Sequence, residues 1–466
     1  MPRRFSTPAR EKRAPIFSPI DPFKFDCLPT HGPAPRAGLR EGVPVRLALR
    51  YHDGVFDLDL PGRDGVRIAG DSFPLPLEDA ERAFGRAIEE PLGSSPLKKQ
   101  IPRSGRISVL ISDLTRGAST GKLLGWLLRF LDEQGAGPGR VEVVLALGTH
   151  RAHSPAELEA HLGAETIGRW RVREHDASDV SALVETGTTP AGTPCLFERA
   201  VAESELVIAL GTVSFHYFAG FGGARKLILP GIAGERTILA NHRLSLKRDP
   251  GEGLSPGCRP GNLDGNPVHE DMLAGARLLG ARTFAINSVP DDTGGIAFIS
   301  AGELDASHRV ACDFVSSAFR FPVDRLYRAV IVSAGGYPKD INLLQSHKAL
   351  RHASFALEEG GLLLGAAACS EGVGSDTYLA AFDGGRQAVP DAVRRRYTLN
   401  SQTAMSTLEL TARLSIYVRS MLPDGLTSRF GMCPWKDAYA EYLLDGIPDR
   451  DILVIAHAAQ FLPMKV

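Results

Sequence analysis

The fold class of this chain is decided by residues 107–151, which read ISVLISDLTRGASTGKLLGWLLRFLDEQGAGPGRVEVVLALGTHR. The apolar runs at 107–111 and 141–147 each predict a buried strand. Between them, leucines recur at helical spacing and predict a helix over 120–131. A strand, a helix and a strand in this order predict a parallel sheet.

A third apolar run, ELVIAL at 205–210, predicts another strand of the same sheet. All three strands are followed by polar turns, at 112–116, at 148–151 and from 211 onward. Ligands of open α/β sheets bind at the carboxyl ends of the strands, so the three turns are expected to converge on one crevice.

The remaining sequence predicts two α/β domains with mostly parallel, Rossmann-like sheets. Residues 1–40, rich in Pro, Arg and Gly, predict an extended N-terminal arm. An Asp-Gly pair between two alternating runs predicts a β-hairpin over 43–60. The predicted domains span 41–305 and 306–450, and 451–466 holds a closing strand.

The predicted elements of the second domain repeat the theme of strand, charged turn and helix. Strands are expected at 329–332, 361–366 and 452–456. Helices are expected at 342–358 and 403–421, and a further helix at 304–319 lies at the boundary between the two domains.

Composition favours a small-molecule partner. A net charge of -1 over 466 residues argues against a general nucleic-acid or membrane-surface binder. The six cysteines contain no CxxC pair and are expected to be reduced thiols. No apolar run reaches the length of a membrane span and the N-terminus lacks a secretory signal, so a soluble, cytoplasmic protein is expected.

Residues 211–242, GTVSFHYFAGFGGARKLILPGIAGERTILANH, combine glycines with ionisable side chains. The segment matches neither GxxxxGK[ST] nor a GxGxxG placed directly after a strand, which disfavours a P-loop ATPase. Its amides are candidates for contact with an anion. Lys226 is a candidate for either a salt bridge or covalent attachment.

Three histidines, His150, His216 and His242, belong to the predicted crevice. Each alone is more often structural than functional, but together they suit metal ligation or proton transfer, since neutral imidazole does both near pH 7. Asp113 and Arg116 fit either a helix cap with a salt bridge or contacts to a sugar and an anion.

Gln345 and Lys348 are one helical turn apart and can point at the same anion, unless that helix face is simply solvated. His269 is a candidate ligand or a capping residue, and His153 is expected either to be structural or to support the site from behind the residues that touch the ligand.

In order and spacing, several motifs resemble the nickel-pincer lactate racemase family. They are DLTR at 113–116, GTHR at 148–151, His216 followed by AGFGGARK and PGI, Asn241-His242, GNLxxNxxHxDM from 261 and GGYPxDxNxxQxxK from 335. The resemblance covers roughly residue 45 to the C-terminus.

The resemblance implies a cofactor in a cleft between two domains. This cofactor is nickel held by a pyridinium-3-thioamide-5-thiocarboxylic acid mononucleotide. By position, Lys226 would carry the covalent link and His242 would complete the nickel coordination. Asp113, Thr115, Gly222 and Gly223 would contact the nucleotide.

The resemblance also implies the reaction, which is interconversion of D and L 2-hydroxy acids through a planar 2-keto acid. His150 and His216 would be the two acid/base residues, one for each enantiomer. Arg116, Gln345 and Lys348 would bind the substrate carboxylate.

The chain departs from the lactate-specific pattern at two places. Leu344 stands where tyrosine is expected, and Gln402 or a neighbour stands where tryptophan is expected. The predicted substrate therefore has a larger aliphatic side chain than lactate.

The alternatives are an epimerase of a sugar acid that uses Gln402 and His347, a non-catalytic carrier of the nickel nucleotide, and a zinc hydrolase built on the three histidines. Expected partners are a small 2-hydroxy acid, cofactor-making enzymes and a second copy of the chain.

Overall fold

The structure is a computed structural model that describes residues 45–114, 119–436 and 440–466, without the side chain of Ser119. The predicted N-terminal arm lies outside these residues. The strands are β1 Val45–Tyr51, β2 Gly54–Leu60, β3 Arg67–Ala69, β4 Ile107–Ile111, β5 Val141–Leu145, β6 Arg171–Glu174, β7 Leu183–Thr188, β8 Pro194–Glu198, β9 Leu206–Thr212, β10 Phe215–His216, β11 Gly220–Phe221, β12 Arg282–Pro290, β13 Ile296–Gly302, β14 Arg320–Val323, β15 Tyr327–Ser333, β16 Leu357–Ala366, β17 Ser415–Arg419, β18 Cys433–Pro434, β19 Ile452–Ile455 and β20 Leu462–Lys465.

Helices alternate with these strands along most of the described chain. They are α1 Ala80–Glu89, α2 Leu97–Gln100, α3 Ser119–Glu133, α4 Pro155–Leu162, α5 Ala164–Arg169, α6 Arg199–Ala202, α7 Arg225–Ile228, α8 Glu235–Arg243, α9 Pro267–Arg277, α10 Leu304–Phe319, α11 Leu343–Ala353, α12 Asp376–Ala381, α13 Val389–Arg395, α14 Ser401–Arg413, α15 Asp424–Arg429 and α16 Ala440–Leu444. Within the described ranges, none of them is long and apolar enough to cross a membrane.

The first six-stranded sheet has the order β13-β12-β9-β4-β5-β6. Its strands pair in parallel except at the edge, where β13 runs antiparallel to β12. Side chains of β4 alternate between two cores: Val109 packs in one with α1 and α3, and Leu110 packs in the other with α7 to α9. Helices on both faces explain why β4 is apolar throughout.

The second six-stranded sheet has the order β18-β17-β16-β15-β19-β3 and is entirely parallel. One face packs against α11 and α14, in a core that also takes Phe215 and Phe221 from the first half of the chain. The other face packs against the hairpin β1–β2 and α16. The predicted α/β class with mostly parallel sheets is confirmed.

The predicted hairpin is present, with β1 and β2 joined by His52 and Asp53. It packs on the second sheet, and β3 pairs with β19 in that sheet. The early segment 45–69 is thus placed with the later half of the chain. Strand pairing does not measure independent folding, so the domain limits at 41–305, 306–450 and 451–466 stay a prediction.

One predicted helix is wrong over its last eight residues, 414–421. The helix expected over 403–421 ends at Arg413, and the chain then forms β17. Leu414 has extended backbone angles, and the run SIYVR that follows is β-branched and aromatic, which favours a strand.

The expectation of reduced cysteines holds for Cys195, Cys258, Cys312 and Cys369, which are free and buried. It is wrong for Cys433, which is disulfide-bonded.

Candidate active site

A cavity of about 630 Å³ lies where the carboxyl ends of the two large sheets face each other. The first sheet contributes the turns that follow β4 and β5 and the end of β9. The second contributes the segment between β15 and α11 and the turn after β16. The lining includes Ser112, Gly148, Thr149, Thr212, Ile341, Asn342 and Glu371. The expected convergence of polar turns is thus confirmed.

Ten of the twelve residues assigned to catalysis or to cofactor, metal or substrate binding line this one cavity. They are Asp113, His150, His216, Gly222, Gly223, Lys226, His242, Leu344, Gln345 and Lys348. Thr115 and Arg116 lie outside the described residues. The cavity therefore joins the candidate proton-transfer, tethering and anion-binding groups, although their individual roles stay predictions.

His150 is oriented by a carboxylate. Its Nδ1 lies 2.5 Å from Oδ2 of Asp113, a side chain that is largely buried, whereas the His150 ring is half-exposed. A carboxylate on one ring nitrogen fixes the ring and leaves the other nitrogen for proton transfer. This contact was not anticipated, because the sequence suggested Asp113 only as a cap or a nucleotide ligand.

His216 is buried at the end of the short strand β10. Its Nδ1 accepts a hydrogen bond from the Ala219 amide at 3.3 Å, so the neutral ring carries its proton on Nε2. The ring of Phe218 packs edge-on against it, with the two centroids 4.6 Å apart. The tight turn between β10 and β11 therefore fixes the orientation of this histidine and favours the Nε2–H tautomer of the neutral ring.

His242 and Lys226 both lie close to the ring of Phe218. The His242 ring packs edge-on at 5.1 Å, and Nζ of Lys226 is 5.9 Å from the ring centroid. Burial, with a smaller contribution from the charge of Lys226, lowers the pKa of His242 to about 3. A neutral imidazole that is partly open to the cavity is the form that binds a metal.

The glycine-rich loop is held from within by Arg225. This guanidinium is fully buried and donates to the carbonyl groups of Ala219, Phe221 and Gly222 at 2.8–3.1 Å. Its Nε donates to Nδ1 of His269 at 2.8 Å. Burial lowers the pKa of Arg225 to about 10. Arg225 is therefore part of the loop's framework.

Internal packing requires that residue 223 has no side chain, whether or not a ligand is bound. Its φ is +113°, and an added Cβ would lie 2.6 Å from Cδ2 of His308. The contact of Gly222 and Gly223 with a nucleotide stays a prediction, but internal packing already explains the second glycine.

The wall formed by the second half carries the predicted anion-binding pair. Nζ of Lys348 donates to Oε1 of Gln345 at 2.5 Å, and both side chains line the cavity, as their spacing predicted. Leu344 lines the same wall, and so does Gln402, whose Oε1 accepts from Tyr397 at 2.7 Å.

His347 does not line the cavity, since it is buried with Nε2 2.9 Å from Oγ of Ser406. The sugar-acid alternative thereby loses one of its two suggested contacts.

The other two histidines have structural surroundings. His153 is bonded through Nδ1 to Glu174 at 2.6 Å, at the cavity edge. His269 is buried outside the cavity against Arg225. Its suggested role as a ligand at the cavity is therefore wrong.

Among the described residues, no three His, Cys, Asp or Glu side chains form a group that could hold a metal ion. This geometry disfavours the three-histidine zinc site.

Oγ of Ser112 and Oγ1 of Thr212 are buried without a hydrogen-bond partner in the described part of the chain, and both residues line the cavity. A polar ligand would satisfy them.

Family models describe both halves of the chain. The lactate racemase N-terminal domain matches residues 51–254, and the lactate racemase C-terminal domain matches residues 326–413. Lactate racemase of Thermoanaerobacterium thermosaccharolyticum is 32% identical over 340 residues, which are 72% of this chain and 77% of that protein. The chain belongs to the lactate racemase family.

Another relative in this family is the lactate racemase of Lactiplantibacillus plantarum. It is 34% identical over 294 residues, covering 63% of this chain and 67% of that protein. Lactate racemases are isomerases, so the prediction of a racemase-family enzyme is confirmed.

Solved structures agree with this family assignment. The lactate racemase apoprotein from T. thermosaccharolyticum superposes with a TM-score of 0.79 at 26% identity, covering 90% of this chain and all of that one. A protein from Thermotoga maritima has a TM-score of 0.63 at 18% identity, covering 84% of this chain and all of that one, and shares the fold.

Sequence reasoning missed several residues of the site. The hydroxyl of Tyr217 is hydrogen-bonded to that of Thr403 at 2.6 Å, which joins the two halves of the chain. Asp271 is hydrogen-bonded to Asn241, and Asn241 in turn contacts His242. Asn241 and Asp271 stand inside quoted motifs, next to or two positions after a histidine, and that adjacency was the available signal.

Proposed function

We propose that this chain is a nickel-dependent racemase of 2-hydroxy acids that uses a pincer nucleotide. One observation carries the proposal. A single cavity joins His150, His216, Lys226 and His242 from the first half of the chain with Gln345 and Lys348 from the second half.

The cofactor would be held by residues of the first half. Lys226 would carry the covalent thioamide link, and His242 would be the protein ligand of nickel, because its imidazole is neutral. The unpartnered hydroxyls of Ser112 and Thr212 are suited to hydrogen-bond the nucleotide, beside Asp113 and Thr115. When bound, the nickel nucleotide supplies an acceptor and donor of hydride for the substrate Cα.

The histidine pair would move the hydroxyl proton. For one enantiomer, His150 accepts the proton of the 2-hydroxyl group as the substrate is oxidised to a 2-keto acid, and Asp113 stabilises the imidazolium. For the other enantiomer, His216 would do the same from the opposite side as its Nδ1–H tautomer, which gives up the 3.3 Å hydrogen bond from the Ala219 amide and leaves Nε2 to accept the proton. Racemisation would follow because the planar keto acid can be reduced on either face. The histidine on the second face, protonated at the start of the turnover, gives its proton to oxygen, and the two histidines end the turnover with their protonation states exchanged.

The substrate carboxylate would bind to Gln345 and Lys348, together with Arg116. The contact between Gln345 and Lys348 holds both donors on one side of the cavity. These residues lie on α11 of the second half, so substrate binding would depend on the closeness of the two halves.

The side chain of the substrate would face Leu344 and Gln402. Leu344 favours aliphatic side chains larger than that of lactate, whereas the amide of Gln402 is the remaining support for a sugar acid. Turnover of D-lactate, D-2-hydroxybutyrate and D-2-hydroxyvalerate separates these cases from D-gluconate. The proposal expects the highest kcat/KM for a longer aliphatic acid, and strict preference for lactate contradicts it.

The proposal includes a cytoplasmic location. It also includes cofactor-making enzymes as partners, because the nucleotide has to be supplied by other proteins. A carrier without turnover is a second reading, but the Asp113–His150 contact favours an enzyme. A carrier has no use for an oriented base.

Intact-protein mass spectrometry and chiral assays test the proposal. After expression with the cofactor-making enzymes, the wild type should carry nickel and an added mass at Lys226, and Lys226→Ala should carry neither. His150→Gln and His216→Gln should keep the added mass but lose about 10²- to 10⁴-fold in kcat.

A matched control is His52→Gln, which changes a partly exposed histidine in the hairpin turn, outside the cavity, and should racemise normally. Wild-type protein with zinc in place of nickel, or with no added mass, would exclude the proposed cofactor. Normal racemisation by either histidine variant would exclude the assigned pair.

A further inference from the structure

A chain of hydrogen bonds runs from a buried carboxylate to His242. Oδ2 of Asp271 accepts from Nδ2 of Asn241 at 2.8 Å, and Oδ1 of Asn241 lies 3.2 Å from Nδ1 of His242. Asp271 is on α9, and the other two residues are on α8. Asp271 and Asn241 are buried, so these contacts are shielded from water.

The network fixes which way the Asn241 amide points. Nδ2 donates to the Asp271 carboxylate and to the carbonyl of Val268 at 3.3 Å, so both amide protons are used. A carboxylate only accepts, so it cannot face the amide oxygen. Oδ1 of Asn241 is therefore turned toward His242.

The direction of the amide determines the tautomer of His242. Oδ1 of an amide accepts and cannot donate, so Nδ1 of His242 must carry the proton. Nε2 then holds the lone pair that a metal requires. If the Asn241 amide were reversed, its NH2 group would face Nδ1 and favour the opposite tautomer.

The carboxylate is itself held by neutral donors from a separate hairpin. Thr193 donates to Oδ2 at 2.8 Å, and Thr189 donates to Oδ1. These threonines flank the turn between β7 and β8. A buried carboxylate without these donors would be costly.

We propose that Asp271 is a positioning residue that, through Asn241, holds His242 as the Nδ1–H tautomer with Nε2 toward the cavity. This rests on the proposed function only for the identity of the ligand at Nε2. The tautomer itself is a property of the chain alone. Partners of this kind around a metal ligand typically change metal affinity by about 10- to 100-fold.

The first test needs no cofactor. Protein uniformly labelled with ¹⁵N is prepared without the cofactor-making enzymes, and two-bond ¹H–¹⁵N spectra report the tautomer of each histidine. The His242 signals are assigned by their loss in His242→Gln. The wild type should show the Nδ1–H form, and Asp271→Asn should shift His242 toward Nε2–H, because the new amide no longer requires an NH2 group opposite.

Asn241→Ala removes the relay while leaving Asp271 in place, and it should also remove the tautomer preference. This variant provides the test if Asp271→Asn does not fold. The matched control is Glu198→Gln, another buried acid changed to an amide, which bonds His175 at 2.9 Å and does not contact His242. It should leave the His242 tautomer unchanged. An Nδ1–H signal that persists in folded Asp271→Asn or Asn241→Ala overturns the proposal.

The second test uses the loaded protein and measures nickel loss during dialysis against a chelator. Asp271→Asn should release nickel about 10- to 100-fold faster than the wild type, with the mass at Lys226 retained. Equal release rates would overturn the assignment of Asp271. Wild-type protein that has the Nδ1–H tautomer but binds no nickel would instead contradict the proposed function and leave the positioning role of Asp271 intact.

Discussion

Gly223→Ala should destabilise the protein even when no cofactor is bound. Two causes add. With φ at +113°, alanine is strained by about 1–3 kcal/mol. The new Cβ would also lie 2.6 Å from His308 and 3.0 Å from Asn287, well inside the ordinary 3.5–4.0 Å contact.

Neither neighbour can move freely. Nε2 of His308 is bonded to the Gly222 carbonyl at 2.7 Å, and the amide of Asn287 accepts from Ala224 at 2.9 Å and donates to Ser307 at 3.1 Å. Overpacking of this kind costs about 1–3 kcal/mol. The expected loss in the free energy of unfolding is therefore about 2–6 kcal/mol.

Urea unfolding of the cofactor-free protein measures this loss. The matched control is Gly125→Ala in the exposed interior of α3, where an added Cβ meets nothing within 4 Å. It should stabilise the protein by about 0.5–1 kcal/mol. If Gly223→Ala unfolds like the wild type but loses the mass at Lys226, the glycine serves the ligand alone and the packing argument is refuted.

Two further predictions concern the buried side chains Tyr217 and His347. Tyr217→Phe removes a 2.6 Å hydrogen bond to Thr403 that joins the two halves of the chain. It should lower the free energy of unfolding in urea by about 1–3 kcal/mol and also raise KM. The control Tyr378→Phe loses a 3.0 Å hydrogen bond to Thr407 within the second half, so it should lower stability without changing KM. Equal KM changes in both variants would contradict a role in closure. Burial lowers the pKa of His347 to about 3, so the unfolded chain binds a proton that the folded chain does not; the resulting stability is present above about pH 6.5 and is lost as the pH falls toward 3. The free energy of unfolding in urea should therefore fall less steeply between pH 7 and pH 5 in His347→Gln than in the wild type, by up to about 1.4 kcal/mol per pH unit. An equal slope in the two proteins would contradict this prediction.

Local pattern was sufficient for the central strands and for the place of the site. The strand Ile107–Ile111 and the helix Leu304–Phe319 have the predicted limits, because a continuous apolar run and a helical stripe each report burial directly. The cavity followed from topology, since polar turns after parallel strands must share one edge.

Long-range pairing and side-chain direction were not predictable in this way. Nothing local distinguishes a hairpin that packs on the first sheet from one that packs on the second. The pairing of Asp113 with His150, and the inward turn of Arg225, depend on which atoms the fold brings together. Sequence reasoning therefore located the site and did not describe the second layer of contacts around it.

The pairing of β3 with β19 has a consequence for synthesis on the ribosome. Arg67 is opposite Leu453, 386 positions later in the chain. At ribosomal rates of about 5–20 residues per second, the early segment waits roughly 20–80 s for its partner strand. All strands of the first sheet have been synthesised once residue 302 is made, and 164 residues of the chain then remain to be translated, so the half that carries Lys226 and His242 can leave the ribosome and assemble before the other half is complete.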